Sequence, residues 1–372
     1  MYCYSRFYIL KERGSSMNKK IPHFMTKVVI VFLWLGVVLA FLYSGRFTDL
    51  FKSGKSINLL VWGQVLDKEY LLDFEKETGI QVNVNYFENN EELFVKLRST
   101  KHHDYDLIMP SDWAAQLLIK EGIIKKIDHN KIDFLGNLYP ALCNRYFDPG
   151  NQYTVPYYWT LYGLGVNTDH FNGALPPATW GLVFDERIMP RYIATFEDAR
   201  PLVLIAALYL FGRLEKLGAS EIEQIKSLLI MQKKHVEIYT DNRAEYVLAS
   251  GVVPVVVGLS GDFLKVMRKF NNINFLIPQE GAFAIIDSLA ITAATQKDDL
   301  IYPFLNYLFR KDVVKQYVDK FDFFPAVHIE VEYDERFAQF TQPSYELFNK
   351  VHFFKNVVSS HVLNDVLIAL KS

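Results

Sequence analysis

Cysteine is nearly missing from the 372-residue chain: Cys3 and Cys143 are the only two, and no C-x-x-C pair occurs. That count argues against a disulfide framework and against a thiolate zinc site. Histidine offers no substitute. His102 and His103 sit side by side after Lys101, and adjacent side chains on a strand or helix diverge, so the pair reads as solvated loop. Neither a metal nor a cofactor is expected. A basic surplus is missing too. The formal net charge is −2, which argues against nucleic acid as a partner, because phosphate binding calls for an excess of lysine and arginine. A small cationic ligand remains compatible, since its site needs only a few local carboxylates.

Catalytic signatures are also scarce. "GLSG" (Gly258 to Gly261) lacks the G-x-S-x-G spacing of a nucleophile elbow, and no histidine is placed to serve it. "GLG" (Gly163 to Gly165) is a fragment of a dinucleotide loop that opens no helix. Nothing resembles a P-loop. An enzyme is therefore not expected.

What the chain does have is apolar material. Half its residues are hydrophobic and 15% are aromatic, enough for sizeable cores in two domains of ordinary size. The start is basic, "MNKKIPHFMTK" from Met17 to Lys27, and "VVIVFLWLGVVLAFLYSG" (Val28 to Gly45) follows without a charge. This is the pattern of an export signal, with an uncleaved anchor as the alternative. Met17 reads as the true start, which leaves Cys143 as the one thiol of the exported protein, an inert packing group.

From Ile57 onward strands and helices alternate. "INLLVW" (Ile57 to Trp62) and "QVNVNYF" read as strands, and "YDLIMP" as a third. "LDKEYLLDFEKETGI", stopped by Gly79, "NEELFVKLRS" and "AAQLLIKEGII" read as the intervening helices. The order implies a parallel sheet with helices on both faces, and ligands of such sheets bind beyond the carboxyl ends of the strands. Trp62 ends the first strand, while Ser111, Asp112 and Trp113 end the third. A turn-rich, aromatic stretch from Phe147 to Asn167 then crosses into a second alternating region. There "YIATF" leads into "EDAR", "GVVPVVVGLSGDFLKVM" gives a strand and a helix, and "AFAIIDSLAIT" is a buried run with Asp287 inside it.

Two aspartates carry the functional reading, and each has a structural alternative. Asp287 interrupts an apolar run, where an unpaired carboxylate is costly. It is either a hydrogen-bonded aspartate at a strand kink or the counter-ion of a bound cation. Asp198 precedes a helix, a position that suits an N-cap. Trp62 and Trp113 suit core packing, and their indole faces also suit ammonium groups, at about 0.5–2 kcal/mol each. Tyr157, Tyr158 and Trp159 read as packing at the crossing.

Taken together and in order, "DFEKETGIQVNVNYFENNEELFVKL", "YDLIMPSDW", "FDPGNQYTVPYYW", "GLGVN", "EDAR" and "DSLAI" resemble the periplasmic spermidine/putrescine-binding proteins, the solute receptors of polyamine ABC importers. The resemblance runs from Ile57 to the C-terminus. It implies an α/β, two-lobe periplasmic-binding-protein fold of type II, each lobe a mixed, mostly parallel sheet flanked by helices. Residues 57–163 plus 286–331 would form lobe 1, and 164–285 plus 332–372 lobe 2. It also implies a polyamine ligand, permease and ATPase partners, a monomer, and a periplasmic location. Carried over residue by residue, it makes Trp62, Ser111, Trp113, Asp198 and Asp287 the ligand shell, with the indoles stacking on the ligand chain and the aspartates pairing with its ammonium groups. The sequence departs from the family pattern at Gly63–Val65, Pro201, Val257 and Ile285, and near Phe354. Pro201 stands where a glutamate is expected. Asp112, Glu88 and Glu280 are candidates to compensate, and Phe323 stands near the place of a family tyrosine. The same clamp around another small solute, or an exported sensor acting on a membrane receptor, is the alternative function.

Overall fold

The first apolar run becomes strand β1 (Ser56–Trp62), followed by helix α1 (Lys68–Thr78) and strand β2 (Gln81–Phe87). Asp67 opens α1 by accepting from the Glu69 backbone N–H, and Gly79 closes it in the left-handed conformation at φ 70°; a glycine reaches that region without a Cβ penalty. Helix α2 (Asn90–Ser99), strand β3 (Leu107–Ile108) and helix α3 (Asp112–Lys120) continue the alternation. Strand β1 pairs in parallel with both β2 and β3. The third strand is shorter than its apolar run predicts. Asp106 takes the Asn58 N–H on its carboxylate at 2.8 Å in place of a ladder carbonyl, and Pro110 has no N–H to offer.

The structure is a computed structural model that describes residues 55–371, apart from 64, 100–103, 189–192, 196–197, 216, 241–242, 331–332, 334 and 338–342, and also residues 27, 32–34 and 36. The export segment, those five residues apart, and the His102–His103 pair lie outside the described residues. The chain divides into two units, Met1–Lys55 and Ser56–Ser372; the sheet, the cores and the site belong to the second. No helix among the described residues is long and apolar enough to cross a membrane.

Strand β4 (Thr154–Asn167) is the crossing segment, and the second alternating region follows it. This comprises β5 (Ile193–Thr195), helices α4 (Ala199–Phe211) and α5 (Ala219–Gln232), β6 (Val236–Tyr239), β7 (Val255–Leu259), helix α6 (Ser260–Met267) and β8 (Ile273–Leu276). Strand β9 (Ala282–Ile291) returns, followed by helices α7 (Asp298–Leu308) and α8 (Lys311–Phe321), strands β10 (Phe324–Pro325) and β11 (Val351–Phe353), and helix α9 (Ser360–Lys371). The sheet runs β2-β1-β3-β9-β4-β7-β5-β6, with β8 and β10 pairing onto β4 and β11 onto β9.

Register explains why this places a site. Strands β4 and β9 run antiparallel, from Thr154 opposite Ala290 to Tyr162 opposite Phe283. The parallel set β1–β3 joins β9 at its far end, where Ile108 faces Ala290. The parallel set β5–β7 joins β4 at the other end, where Leu259 faces Tyr162. Both sets therefore direct their carboxyl ends toward the middle of the β4–β9 ladder, between Tyr158–Tyr162 and Phe283–Asp287. Two large cores pack against the sheet. One gathers β1, α1, α7 and α8 around Phe74, Phe304 and Tyr317; the other gathers α4, α5, α9 and β7, with Trp180 and Phe283 buried in it.

The "GLG" fragment has a packing role. A Cβ on Gly163 would lie 2.5 Å from the Phe275 ring, and one on Gly165 would lie 2.2 Å from Phe263. The two rings lie directly on the β4 backbone. "GLSG" has one as well: the Ser260 hydroxyl accepts from the Leu161 N–H at 3.1 Å and meets Thr160 Oγ1 at 3.1 Å, tying α6 to β4. Cys143 is half-buried against the first core, and burial pushes its thiol up. Replacement of Gly165 by alanine forces Phe263 out of its place and is expected to lower unfolding free energy by about 1–3 kcal/mol, read as a lower urea midpoint with an unchanged slope.

Candidate ligand-binding site

Asp287 lies in the middle of β9, opposite Tyr158 on β4. It is 3% exposed, and its company is polar on every side. The Ser111 hydroxyl donates to Asp287 Oδ1 at 2.7 Å. Ser111 also forms a single bridge with Asp287, and the Ser288 N–H donates to the Pro110 carbonyl at 3.1 Å. The turn that ends the third strand is thus fastened to the ladder at the aspartate. The Tyr158 hydroxyl donates to the same carboxylate, and the Trp62 indole N–H faces it without completing a hydrogen bond. Burial pushes the Asp287 carboxyl up to about 6, against the pull of Ser111, Tyr158 and Trp62. Tyr158 is raised well above its usual value, by burial first and then by the Asp287 charge.

Asp112 opens α3, one residue beyond Ser111, and is fully buried. Tyr146 donates to its Oδ2 at 2.8 Å, while Oδ1 has no partner. Burial, opposed by the Tyr146 hydrogen bond and augmented by the charge of Asp287, raises Asp112 to about 7. Two acids with upward-shifted carboxyls therefore lie near the carboxyl end of β3, close enough for the Asp287 charge to act on Asp112.

Trp113 presents a different picture from the one its position suggests. The Arg200 guanidinium lies over its ring, 4.3 Å from the centroid, an arrangement worth about 0.5–2 kcal/mol. Phe94 covers a further side at 6.2 Å. Arg200 Nη1 donates to Asn356 Oδ1 at 2.8 Å, and Asn356 Nδ2 donates back to the Trp113 carbonyl at 3.3 Å. The expectation that this indole stacks on a ligand is corrected to that extent: a cation of the protein itself already lies on it. Burial lowers Arg200, and the charges of Asp198, Glu91, Tyr146 and Asp112 hold it up.

Asp198 takes the N-cap role that its sequence position suits. Its carboxylate accepts from the Arg200 N–H at 2.9 Å at the start of α4. The residue is exposed, yet enough protein surrounds the carboxyl that desolvation, ahead of the Glu91 charge, moves it upward. It lies on the Arg200 side of the site. Of the further candidates, Glu88 comes close to the end of β1, its Oε1 standing 3.0 Å from where a Gly63 Cβ would be. Phe323 packs against Tyr157 and Tyr158, at 5.8 and 5.1 Å between centroids, and so backs the Tyr158 ring beside Asp287. Glu280 is corrected: its two oxygens take the Thr179 hydroxyl and the Trp180 N–H, which commits it to the second core.

The structure adds Tyr146, Tyr158, Arg200, Asn356 and Asn90, whose amide reaches Ser111 Oγ at 3.3 Å. Tyr158 is placed by the register of β4 on β9, which shifts between Pro156 and Tyr158 and leaves no local pattern. Arg200 follows from Asp198 by its place in the first helical turn. Asn356 lies in an irregular segment before α9 and has no pattern to reveal it. Among the described residues no group of acids, histidines or cysteines could hold a metal ion. The arrangement can receive a cation and orient it.

Because folding disfavours the charged form of Asp112, its folded pKa lies above the unfolded 3.8. Stability from this group is full below the unfolded value and is lost as pH rises toward about 7. Asp112→Asn is therefore expected to raise the melting temperature at pH near 8, with the gain shrinking as pH falls toward about 5. Thermal scans across that range check it.

Comparison with known proteins gives the same kind of molecule. Residues 104–351 match the family described as bacterial extracellular solute-binding protein. The chain is 31% identical over 265 residues to the spermidine/putrescine-binding periplasmic protein of Salmonella typhimurium, covering 68% of this chain and 73% of that one. It is 28% identical over 304 residues to the putrescine-binding periplasmic protein PotF of Escherichia coli, covering 77% and 82%. Among solved structures, a putative spermidine/putrescine ABC transporter protein from Listeria monocytogenes superposes with a TM-score of 0.74 at 21% identity, over 86% of this chain and 99% of that one. The fold is the type II periplasmic-binding-protein fold. The chain belongs to the bacterial extracellular solute-binding proteins, the substrate-binding components of ABC transporters, which are not enzymes.

Proposed function

We propose that this protein is the periplasmic receptor of an ABC importer and that its solute is a polyamine of the putrescine or spermidine type. The observation that carries the reading is the buried Asp287, surrounded by Ser111, Tyr158 and Trp62 at the middle of the β4–β9 ladder. A carboxylate costs free energy in such a place unless a charged partner arrives. An ammonium group is that partner, and Trp62 supplies an indole for the methylenes beside it. Asp112, Asp198, Glu91 and Glu88 make the surroundings acidic, and Arg200 and Lys355 oppose them. The names of the relatives support the same ligand class.

Lobe 1 comprises residues 57–163 plus 286–331 and lobe 2 residues 164–285 plus 332–372, closing where β4 and β9 cross. The receptor acts as a monomer and delivers its solute to a permease driven by ATPase subunits, with no role for nucleic acid. Residues 17–45 supply the export signal. Since Arg200 already lies over Trp113 and Pro201 stands where the resemblance expects an acid, a ligand with two amines suits the site better than one with three.

Calorimetric titration with putrescine and spermidine tests the reading. Saturable binding of either amine is expected, with putrescine the tighter of the two. Asp287→Asn removes a charge-assisted contact worth about 1.5–3 kcal/mol and should weaken binding by at least about tenfold. The polyamine assignment fails if purified protein gives neither heat nor a thermal shift at millimolar amine.

A further inference from the structure

Asp112 is the group that the reading above leaves unexplained. Its side chain is wholly buried, yet Oδ1 has no hydrogen-bond partner. Buried polar groups without partners are rare and costly, and this one is an acid rather than an amide or hydroxyl. Its placement is closely fixed. Tyr146 holds Oδ2 at 2.8 Å. The Ser111 preceding it is bonded to Asp287 at 2.7 Å, and Asp287 is near enough for its charge to act on Asp112.

We propose that Asp112 and Asp287 together form a receptor for one primary ammonium group, with Asp112 Oδ1 and Asp287 taking two of its three N–H donors, so that loading the site displaces the proton the pair otherwise retains. This deepens the polyamine reading and rests on it. A primary ammonium has three donors on a compact head, which suits two carboxylates converging from α3 and β9. A quaternary ammonium has none and would leave Asp112 Oδ1 unpaired. The receptor therefore selects ligands by a terminal primary amine.

The proton follows from the same geometry. In the empty site burial favours neutral carboxyls, which moves Asp112 to about 7 and Asp287 to about 6. An ammonium between them favours both charged forms, so their bound values fall. Affinity is then full above the free-state values and declines as pH drops through them. The neighbouring groups are few. Tyr146, Arg200 and Asp287 face Asp112, with Lys355 over the Tyr146 ring at 5.3 Å. Ser111, Trp62 and Tyr158 face Asp287, and Asp262 acts on Tyr158. Asp112, near 7, and Asp287, near 6, both titrate within the range of the test.

The test is calorimetry of the full-length exported chain with putrescine, at pH values from about 5.5 to 8 and in buffers of different ionisation enthalpy. Wild-type protein should release protons on binding near neutral pH and bind at least about tenfold more weakly at the acid end. Asp112→Asn keeps the shape and the Tyr146 contact; it should weaken binding by about tenfold or more and reduce both proton release and pH dependence. An analogue of putrescine trimethylated at both ends should fail to bind. Asp112→Asn protein that melts cooperatively and binds putrescine as wild type does, with the same proton release, overturns the two-carboxylate receptor and leaves the polyamine reading standing. Wild-type protein that binds no amine at any pH overturns both.

Discussion

The hydrogen bond between Ser111 and Asp287 is the contact on which the site depends. It joins the turn after β3 to the middle of β9, and so brings residues 176 positions apart into one constellation. Without it, the ends of β3 and β9 would still pair at Leu107–Ile108 and the Ser288 N–H would still reach the Pro110 carbonyl, but the Asp287 carboxylate would lose its hydroxyl tie to the start of α3. With it, Asp112 is buried beside Asp287, and the surrounding hydroxyls determine how much charge the pair can carry. Local geometry and electrostatics have the same origin.

The arrangement also explains why hydroxyl and indole donors surround Asp287 rather than lysine or arginine. A fixed cation within hydrogen-bonding reach would neutralise the carboxylate permanently and leave a ligand ammonium nothing to bind. Hydroxyl donors from Ser111 and Tyr158 lower the cost of burying the acid without cancelling its charge. The protein does place one cation nearby, Arg200, but holds it over Trp113 with Asn356. That end of the site is already supplied with a cation. The two indoles, similar in sequence context, thus have different surroundings: Trp62 packs on Phe87 with its N–H toward the acid, while Trp113 carries the Arg200 guanidinium.

Much of the fold was legible in the sequence because period and punctuation agreed. The run from Ile57 to Ile123 alternates strand and helix, with Gly79 marking a helix limit that the structure keeps. What periodicity could not show was the register of β4 on β9, because contacts between residues so far apart leave no local trace. Tyr158 was therefore grouped with its neighbours as packing, although its hydroxyl reaches Asp287. The same limit hid Asn356, which stands in irregular chain. Asp198 shows the reverse case, where a local rule sufficed to foresee a contact: the residue caps a helix. The partners of Glu280, Thr179 and Trp180, lie about a hundred positions away and leave no local sign.

The central claim is that a buried acid pair awaits an ammonium head, and a crystal structure of the protein with putrescine tests it most directly. The account predicts one terminal nitrogen about 3 Å from both Asp112 Oδ1 and a carboxylate oxygen of Asp287, with the ligand methylenes against Trp62. Density for the amine elsewhere on the protein, with Asp112 Oδ1 still unpartnered and Ser111 still on Asp287, would contradict it.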